Sequence, residues 1–217
     1  MQFACILLAA AAACAADVRR HPVTGRVIAP VMGAAGAAWL DRSEREIEER
    51  PSLAVKLLGL QPGQTVADIG TGSGYYTELL ARAVGPAGTV YATDIQPEMI
   101  RLLEERIRRK KLSHVIPVQA GETDPRLPRE SIDLALLVDV YHEFAHPQQM
   151  LRRIREALRP GGRLVLVEFR KEDPRVPIRE EHKMSIAEAR AEVEPEGFVF
   201  ERVLHDLPWQ HMLIFRK

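Results

Sequence analysis

Cysteine is nearly missing from this chain: of 217 residues only Cys5 and Cys14 are cysteines, and both stand within the first sixteen positions. Without that segment no thiol remains, so disulfides, zinc–thiolate sites and cysteine nucleophiles are excluded. A surplus of charge is also lacking, because 30 Lys and Arg balance 30 Asp and Glu. A nucleic-acid binder would carry a basic excess or a concentrated basic face, and no nucleic-acid partner is expected. No G-x-x-x-x-G-K-[ST] loop occurs, which removes the P-loop nucleotidases. Internal repeats and low-complexity linkers are absent as well, and the length is that of one domain with a sizeable core.

What is present begins with an apolar leader. Positions 3–16 carry no charge and are mostly Ala, Leu, Ile and Cys, and Ala13-Cys14-Ala15-Ala16 offers small residues for a cut before Asp17. Residues 1–16 therefore read as an export signal, too short to span a bilayer, that would place the mature protein outside the cytoplasm. No stable membrane association is expected after cleavage. No Lys or Arg precedes the apolar run, so a cytoplasmic protein with an apolar N-terminal helix is the other reading.

Residues 17–60 read as an arm or lid. Ser43-Glu44-Arg45-Glu46 has the S-x-x-E form of a capping box opening a short charged helix, Pro51 breaks it, and a further turn ends at Gly59. From residue 61 to 217 the pattern alternates. Apolar, β-rich runs at Thr65–Ile69, Thr89–Thr93, Val115–Gln119, Ile132–Val138 and Arg163–Phe169 are interleaved with helical patterns near 74–84, 97–110 and His146–Leu158. Such alternation predicts an α/β domain with a parallel sheet covered by helices on both faces. The end departs from it. A helix near Ser185–Glu194 leads to Phe198–Leu204 and His211–Phe215, joined too closely for anything but an antiparallel hairpin. Glu104–Arg108 and Glu105–Arg109 have i,i+4 spacing and mark a solvated helix face.

The stretch Val66-Ala67-Asp68-Ile69-Gly70-Thr71-Gly72-Ser73-Gly74-Tyr75-Tyr76 carries the most chemistry. A buried strand runs into three glycines at alternate positions and then a helix, so bare backbone and helix N–H groups face a ligand. Asp94 ends the second strand, where a carboxylate can accept from both ribose hydroxyls. A nicotinamide fingerprint would want glycine where Tyr75 stands. Asp68 would repel a pyrophosphate but suits a cationic ligand.

On Val66–Gly74, Tyr91–Asp94, Gly121–Pro128, Asp133–His142 and the Leu158–Gly162 turn with its following strand, the chain resembles the class I S-adenosylmethionine-dependent methyltransferases. The resemblance implies a Rossmann-like, seven-stranded, mostly parallel sheet whose last strand is antiparallel, with S-adenosylmethionine as cofactor. It implies that Asp68, Gly70, Gly72 and Gly74 hold the methionine end, Asp94 the ribose and Ile95 the adenine. It places Gly121 and Glu122 near the adenine amino group, and Asp139 between cofactor and substrate cavity. The arm, with His21–Arg26 and Trp39–Arg42, is similar to that of bacterial methyltransferase-domain proteins that are often exported.

Methyl transfer chiefly needs alignment, and a base only where the acceptor sheds a proton. His142, at the carboxyl end of the fourth strand, is the expected base, since imidazole titrates near neutrality. Tyr141 and Glu143 are the further candidates to touch the acceptor. Asp139 and Glu168 end neighbouring strands, as in a metal-dependent catechol-type site, but no third oxygen ligand stands at suitable spacing and no metal is expected. No N-P-P-Y motif points to a base or amide nitrogen, so a small-molecule acceptor is expected, with a protein side chain as runner-up. A non-catalytic S-adenosylmethionine-binding protein and, further off, a nicotinamide-dependent oxidoreductase stay open as alternatives.

Overall fold

The structure is a computed structural model that describes residues 18–217. The export-signal reading of 1–16 and both cysteines lie outside the described residues. Among the described residues, no helix is long and apolar enough to cross a membrane.

The chain opens as an irregular segment in which Arg20 bridges Val27, followed by three short helices, α1 (Ala37–Leu40), α2 (Arg45–Glu48) and α3 (Pro51–Leu57). Ser43 and Glu46 do not form the expected capping box. Ser43 Oγ donates to its neighbour Glu44, while Glu46 turns forward to accept from Ser52 at the start of α3. Pro51 opens α3 rather than merely ending α2, because the first helical position has no N–H to lose. The alternating region then gives β1 (Thr65–Ile69), α4 (Tyr75–Val84), β2 (Thr89–Asp94), α5 (Pro97–Lys110), β3 (Val115–Gln119), β4 (Ile132–Val138), α6 (Pro147–Ala157) and β5 (Leu158–Arg170). After a two-residue β6 (Lys183–Met184) come α7 (Ile186–Val193), β7 (Val199–Leu204) and β8 (Gln210–Arg216). A reciprocal capping box does exist at the start of α7, between Ser185 and Glu188.

The strands lie in the order β3-β2-β1-β4-β5-β8-β7. Strands β1 to β5 run parallel, and β8 pairs antiparallel with both β5 and β7. The expected seven-stranded layout is thus present, with β6 added as a parallel stub on β5. Strand β5 begins earlier than the sequence suggests. Leu158 already pairs with Ile132, and Arg159–Gly162 loop out as a bulge before pairing resumes at Arg163. The Arg-Pro-Gly-Gly stop signal is therefore spent inside the strand rather than ahead of it.

Period-2 alternation divides the core between the two faces. Val66, Val90, Leu134, Leu136, Val165 and Ile214 face α3 and α4, represented by Ala54, Val55, Leu80 and Val84. Ala67, Ile69, Ala135, Leu137, Leu166 and Phe215 face Met150, Leu151 and Ile154 of α6 and Ala189 and Val193 of α7. On α5 the expected Glu104–Arg108 and Glu105–Arg109 pairs are not made. Glu105 pairs backward with Arg101, and the buried Arg106 turns inward to Glu78 of α4 and Asp41 of the arm.

The arm is fastened to the domain by a buried ion pair. Arg26 Nε and Nη2 donate to the two carboxylate oxygens of Glu192 on α7, at 3.1 and 2.9 Å. Thr24 donates to the same carboxylate, and Arg26 Nη1 also reaches the His142 carbonyl at 3.2 Å. Removing one member of such a pair strands the other charge away from water, at about 3–5 kcal/mol. Glu192→Ala is therefore expected to lower the unfolding free energy by about that amount in urea denaturation and to expose the segment before Pro51 to proteolysis. Wild-type stability and protease resistance in the variant would show that the pair does not hold the arm.

Candidate active site

The parallel strands deliver their carboxyl ends to one edge, where the order reverses between β1 and β4, and a cleft of roughly 1260 Å³ opens there. A single drug-sized ligand is held by about 300–1,000 Å³, so the space admits two reactants.

Leaving β1, the N–H groups of Gly70 and Thr71 both donate to the Thr93 carbonyl of β2, at 2.8 and 2.9 Å, which bends the loop across the strand ends. Gly70 and Gly72 line the cleft in the left-handed region, at φ +72° and +55°. A Cβ on Gly70 would stand 2.3 Å from Val140 Cγ2, and one on Gly72 2.6 Å from Leu40 Cδ1 of the arm. Gly74 does not line the cleft and instead serves as the N-cap of α4.

Asp68 also lies off the cleft wall. Its Oδ2 accepts from the hydroxyls of Thr71 at 3.0 Å and Thr77 at 2.6 Å, because a buried carboxylate must find donors. Asp68 therefore braces the loop from beneath. Burial pushes its carboxyl up to about 6, against the pull of the two threonines and Arg45. Thr71 and Thr77 escaped sequence reading, although hydroxyls three and nine positions after a strand-end acid are the signal that could have found them.

Asp94 ends β2 on the cleft wall. Its oxygens accept from Gly72 N–H at 3.0 Å and Gln96 N–H at 2.8 Å, leaving lone pairs for further donors. Burial raises its pKa against the lowering by the Gln96, Gly72 and Ile95 backbone. Ile95 lines the cleft beside it, and Glu122 forms part of the rim, 3.7 Å from His146 Nε2. Gly121 does not line the cleft, and its N–H closes a turn onto the Asp124 carbonyl.

Asp139, just past β4, lines the cleft in the left-handed region at φ +50°, a conformation that costs a non-glycine residue on the order of 1–3 kcal/mol. Its Oδ2 accepts from Gln210 at 2.6 Å, whereas Oδ1 is buried without a partner. Burial, then the carboxylates of Glu49 and Glu168, raise its pKa well above the usual range. An orphaned carboxylate oxygen beside a bare-backbone loop suits a ligand that brings a cationic donor, such as the ammonium of S-adenosylmethionine.

The turn after β4 carries the expected acceptor residues and separates them. The wholly buried Glu168, near the carboxyl end of β5, accepts from Tyr141 N–H at 3.0 Å and engages His142 Nδ1 at 2.6 Å. His142 lines the cleft with Nε2 3.1 Å from Nδ1 of His182. Tyr141 does not reach the cleft. Its ring is buried edge-on against Phe144 at 5.6 Å and near the Arg26 guanidinium, so it packs beneath the turn rather than meeting an acceptor. Glu143 does line the cleft, accepting Met32 N–H at 3.3 Å, and burial pushes its carboxyl up to about 7. Asp139 and Glu168 do not jointly face the cleft, since Glu168 is spent on the Tyr141–His142 turn. One charged residue inside the apolar run Leu164–Phe169 was the signal that Glu168 has a buried partner.

The remaining wall comes from the arm. Ala29 N–H donates to the His142 carbonyl at 3.0 Å, and the Met32 carbonyl accepts from Gln96 Nε2 at 2.9 Å. Leu40 rests over Gly72, and Asp41 accepts from Ser73 and Arg106. Arg45 lies over the Tyr75 and Tyr76 rings, 5.0 and 5.2 Å from their centroids, and pairs with Glu49 at 2.7 Å.

Residues 67–166 match the family model described as a methyltransferase domain. A ubiquinone/menaquinone biosynthesis C-methyltransferase of Ectopseudomonas mendocina is 33% identical over 118 residues, 54% of this chain and 46% of that protein. A protein-L-isoaspartate O-methyltransferase of Aeropyrum pernix is 34% identical over 115 residues, 52% of this chain and 41% of that protein. The chain thus spans less than half the length of these relatives. The crystal structure of a SAM-dependent methyltransferase from Aquifex aeolicus superposes with a TM-score of 0.81 at 26% identity, over 86% of this chain and 99% of that one. Glycine loop, strand-end carboxylates, sheet order and these likenesses agree: over its matched domain and in its fold the chain is similar to the class I S-adenosylmethionine-dependent methyltransferases.

Proposed function

We propose that the protein transfers the methyl group of S-adenosylmethionine to a small-molecule nucleophile bound between the glycine loop and His142. The observation that carries this reading is that Gly70, Gly72, Asp94 and the orphaned Asp139 Oδ1 share one cleft with His142, whose Nδ1 is engaged from behind by Glu168. When bound, S-adenosylmethionine supplies a methyl carbon activated by its sulfonium and leaves as the neutral thioether. Asp94 would hold the ribose, Ile95 the adenine and Asp139 the cationic end. Glu168 accepts from Nδ1–H of His142, which fixes the tautomer and leaves the Nε2 lone pair to take the proton that the acceptor sheds. The arm supplies one wall of that meeting point. The relatives' names include a quinone-pathway carbon methyltransferase and a protein carboxyl methyltransferase. Enclosure by the arm favours the smaller acceptor. Tyr75, where a nicotinamide fingerprint has glycine, disfavours the oxidoreductase alternative.

Calorimetry tests the cofactor seat. S-Adenosylhomocysteine should bind and NADH should not, and Asp94→Asn should weaken S-adenosylhomocysteine by about 10–100-fold, the worth of one or two charge-assisted hydrogen bonds. Unchanged affinity would mean that the ribose lies elsewhere.

His142→Ala should slow methyl transfer to a panel of small hydroxyl, thiol and amine acceptors by about 10²–10⁴-fold, with S-adenosylhomocysteine affinity within about twofold of wild type. Equal loss of both would make His142 a structural residue.

Asp68 gives the seat a pH dependence. Its raised carboxyl is neutral below about 6 and anionic above it, with Arg45 and Asp94 as its charged neighbours. Affinity for the sulfonium cation should rise from pH 5 to 7, more than affinity for S-adenosylhomocysteine does, and Asp68→Asn should flatten the difference. The unliganded fold carries the opposite sign. An acid whose folded pKa is raised costs stability as pH climbs through the window from about 4 to 6.

A further inference from the structure

Three side chains at the acceptor end of the cleft meet in a way that methyl transfer by itself does not require. Among the described residues, His142, Glu143 and His182 form the one set whose potential metal-ligating atoms all lie within 4.8 Å of one another. His142 and Glu143 come from the turn after β4, and His182 from the segment leading into β6, so two independent parts of the chain bring them together. We propose that His142 Nε2, His182 Nδ1 and the Glu143 carboxylate bind one divalent transition-metal ion of the zinc class, with a coordination position open to the cleft.

Four observations carry this. The two imidazole nitrogens stand 3.1 Å apart, close to the edge of roughly 3.3 Å that a tetrahedron with metal–nitrogen bonds of about 2.0–2.1 Å requires. A direct hydrogen bond between them is the competing explanation, but it leaves the third member without a role. Glu143 lines the cleft beside them, and its partner is Met32 N–H at the long distance of 3.3 Å. The far nitrogen of His142 is held at 2.6 Å by the buried Glu168 carboxylate. That is the carboxylate–histidine support which orients a ligating imidazole and raises its basicity. Finally, two histidines and one carboxylate with an open position form the donor set of catalytic rather than closed structural zinc sites. The pairing of Asp139 with Glu168 suggested by their strand-end positions has no part in it, because Glu168 serves as the outer partner and not as a ligand.

The inference deepens the acceptor-site reading and rests on it for its chemical consequence alone. An ion here would occupy the lone pair otherwise given to a proton. The acceptor class narrows to molecules offering a hydroxyl or thiol, which would coordinate at the open position and release its proton to solvent more readily.

Untagged protein freed of metal with a chelator should be titrated with zinc chloride by calorimetry and with cobalt chloride by visible absorption. Wild type should take up one ion per chain with the intense spectrum of four-coordinate cobalt. His182→Ala and Glu143→Gln should each weaken binding at least about tenfold, the loss that follows even from removing an outer partner of a ligand. His205→Ala, a change at an exposed histidine elsewhere, should bind as wild type does. No saturable uptake by wild type, undiminished uptake by both ligand variants, or loss in His205→Ala would each overturn the site. S-Adenosylhomocysteine binding in the same samples separates the two readings. If it persists without metal uptake, only the metal site fails. If metal binds but the nucleoside does not, the cofactor seat fails instead.

Discussion

A carboxylate taken out of water must be met by donors, and this requirement organises the whole functional edge of the sheet. Parallel strands end on the same side, so Asp68, Asp94 and Asp139 from β1, β2 and the end of β4 approach one another there, with Glu168 reaching in from β5. Each is satisfied differently. Asp68 takes two threonine hydroxyls, Asp94 takes two backbone N–H groups, and Glu168 takes a backbone N–H and an imidazole. Only Asp139 keeps a buried oxygen without a partner. The loop geometry and the histidine's orientation follow from these satisfactions, so loop, Asp94 carboxylate and imidazole stand already placed before any ligand arrives.

The same requirement explains how a segment of little regular structure can form a wall. Its own apolar burial is modest, with Ile28 and Ala29 the buried apolar residues before α3 among the described residues. What holds it is the Arg26–Glu192 pair, the Asp41–Arg106 pair and the bond from Ala29 N–H to the His142 carbonyl. These anchors are directional, and they fix the arm's course over Gly72 more tightly than apolar contact alone would.

Much of this was legible in the chain. Strands β1, β3 and β4 fall where apolar periodicity put them, because strands covered on both faces read as unbroken apolar runs. Asp94, Ile95, Gly70 and Gly72 line the cleft because their positions follow from strand ends, which are local features. The misreadings arose where a particular side-chain partner decided. Ser43 lost its cap to a competing local contact, and Glu46 was drawn to Ser52. Tyr141, next to His142 in sequence, was turned into the core by Arg26 and Phe144. Asp68 took two threonine hydroxyls, and Glu168 was committed to a turn 27 residues earlier. Apolar periodicity carries no trace of such polar pairings, which show only as a hydroxyl or a charge at an unexpected place.

Because the sheet and the helices packed on it contain both core clusters, while much of the cleft's outer wall is drawn from residues before Pro51 and from residues 177–182, wall and scaffold sit on largely separable stretches of polypeptide. Substitutions in the wall need not disturb the sheet, provided that the anchors at Arg26 and Asp41 are kept. Such partition leaves the wall free to drift in two short stretches, while the strand-end carboxylates stay under their own constraints.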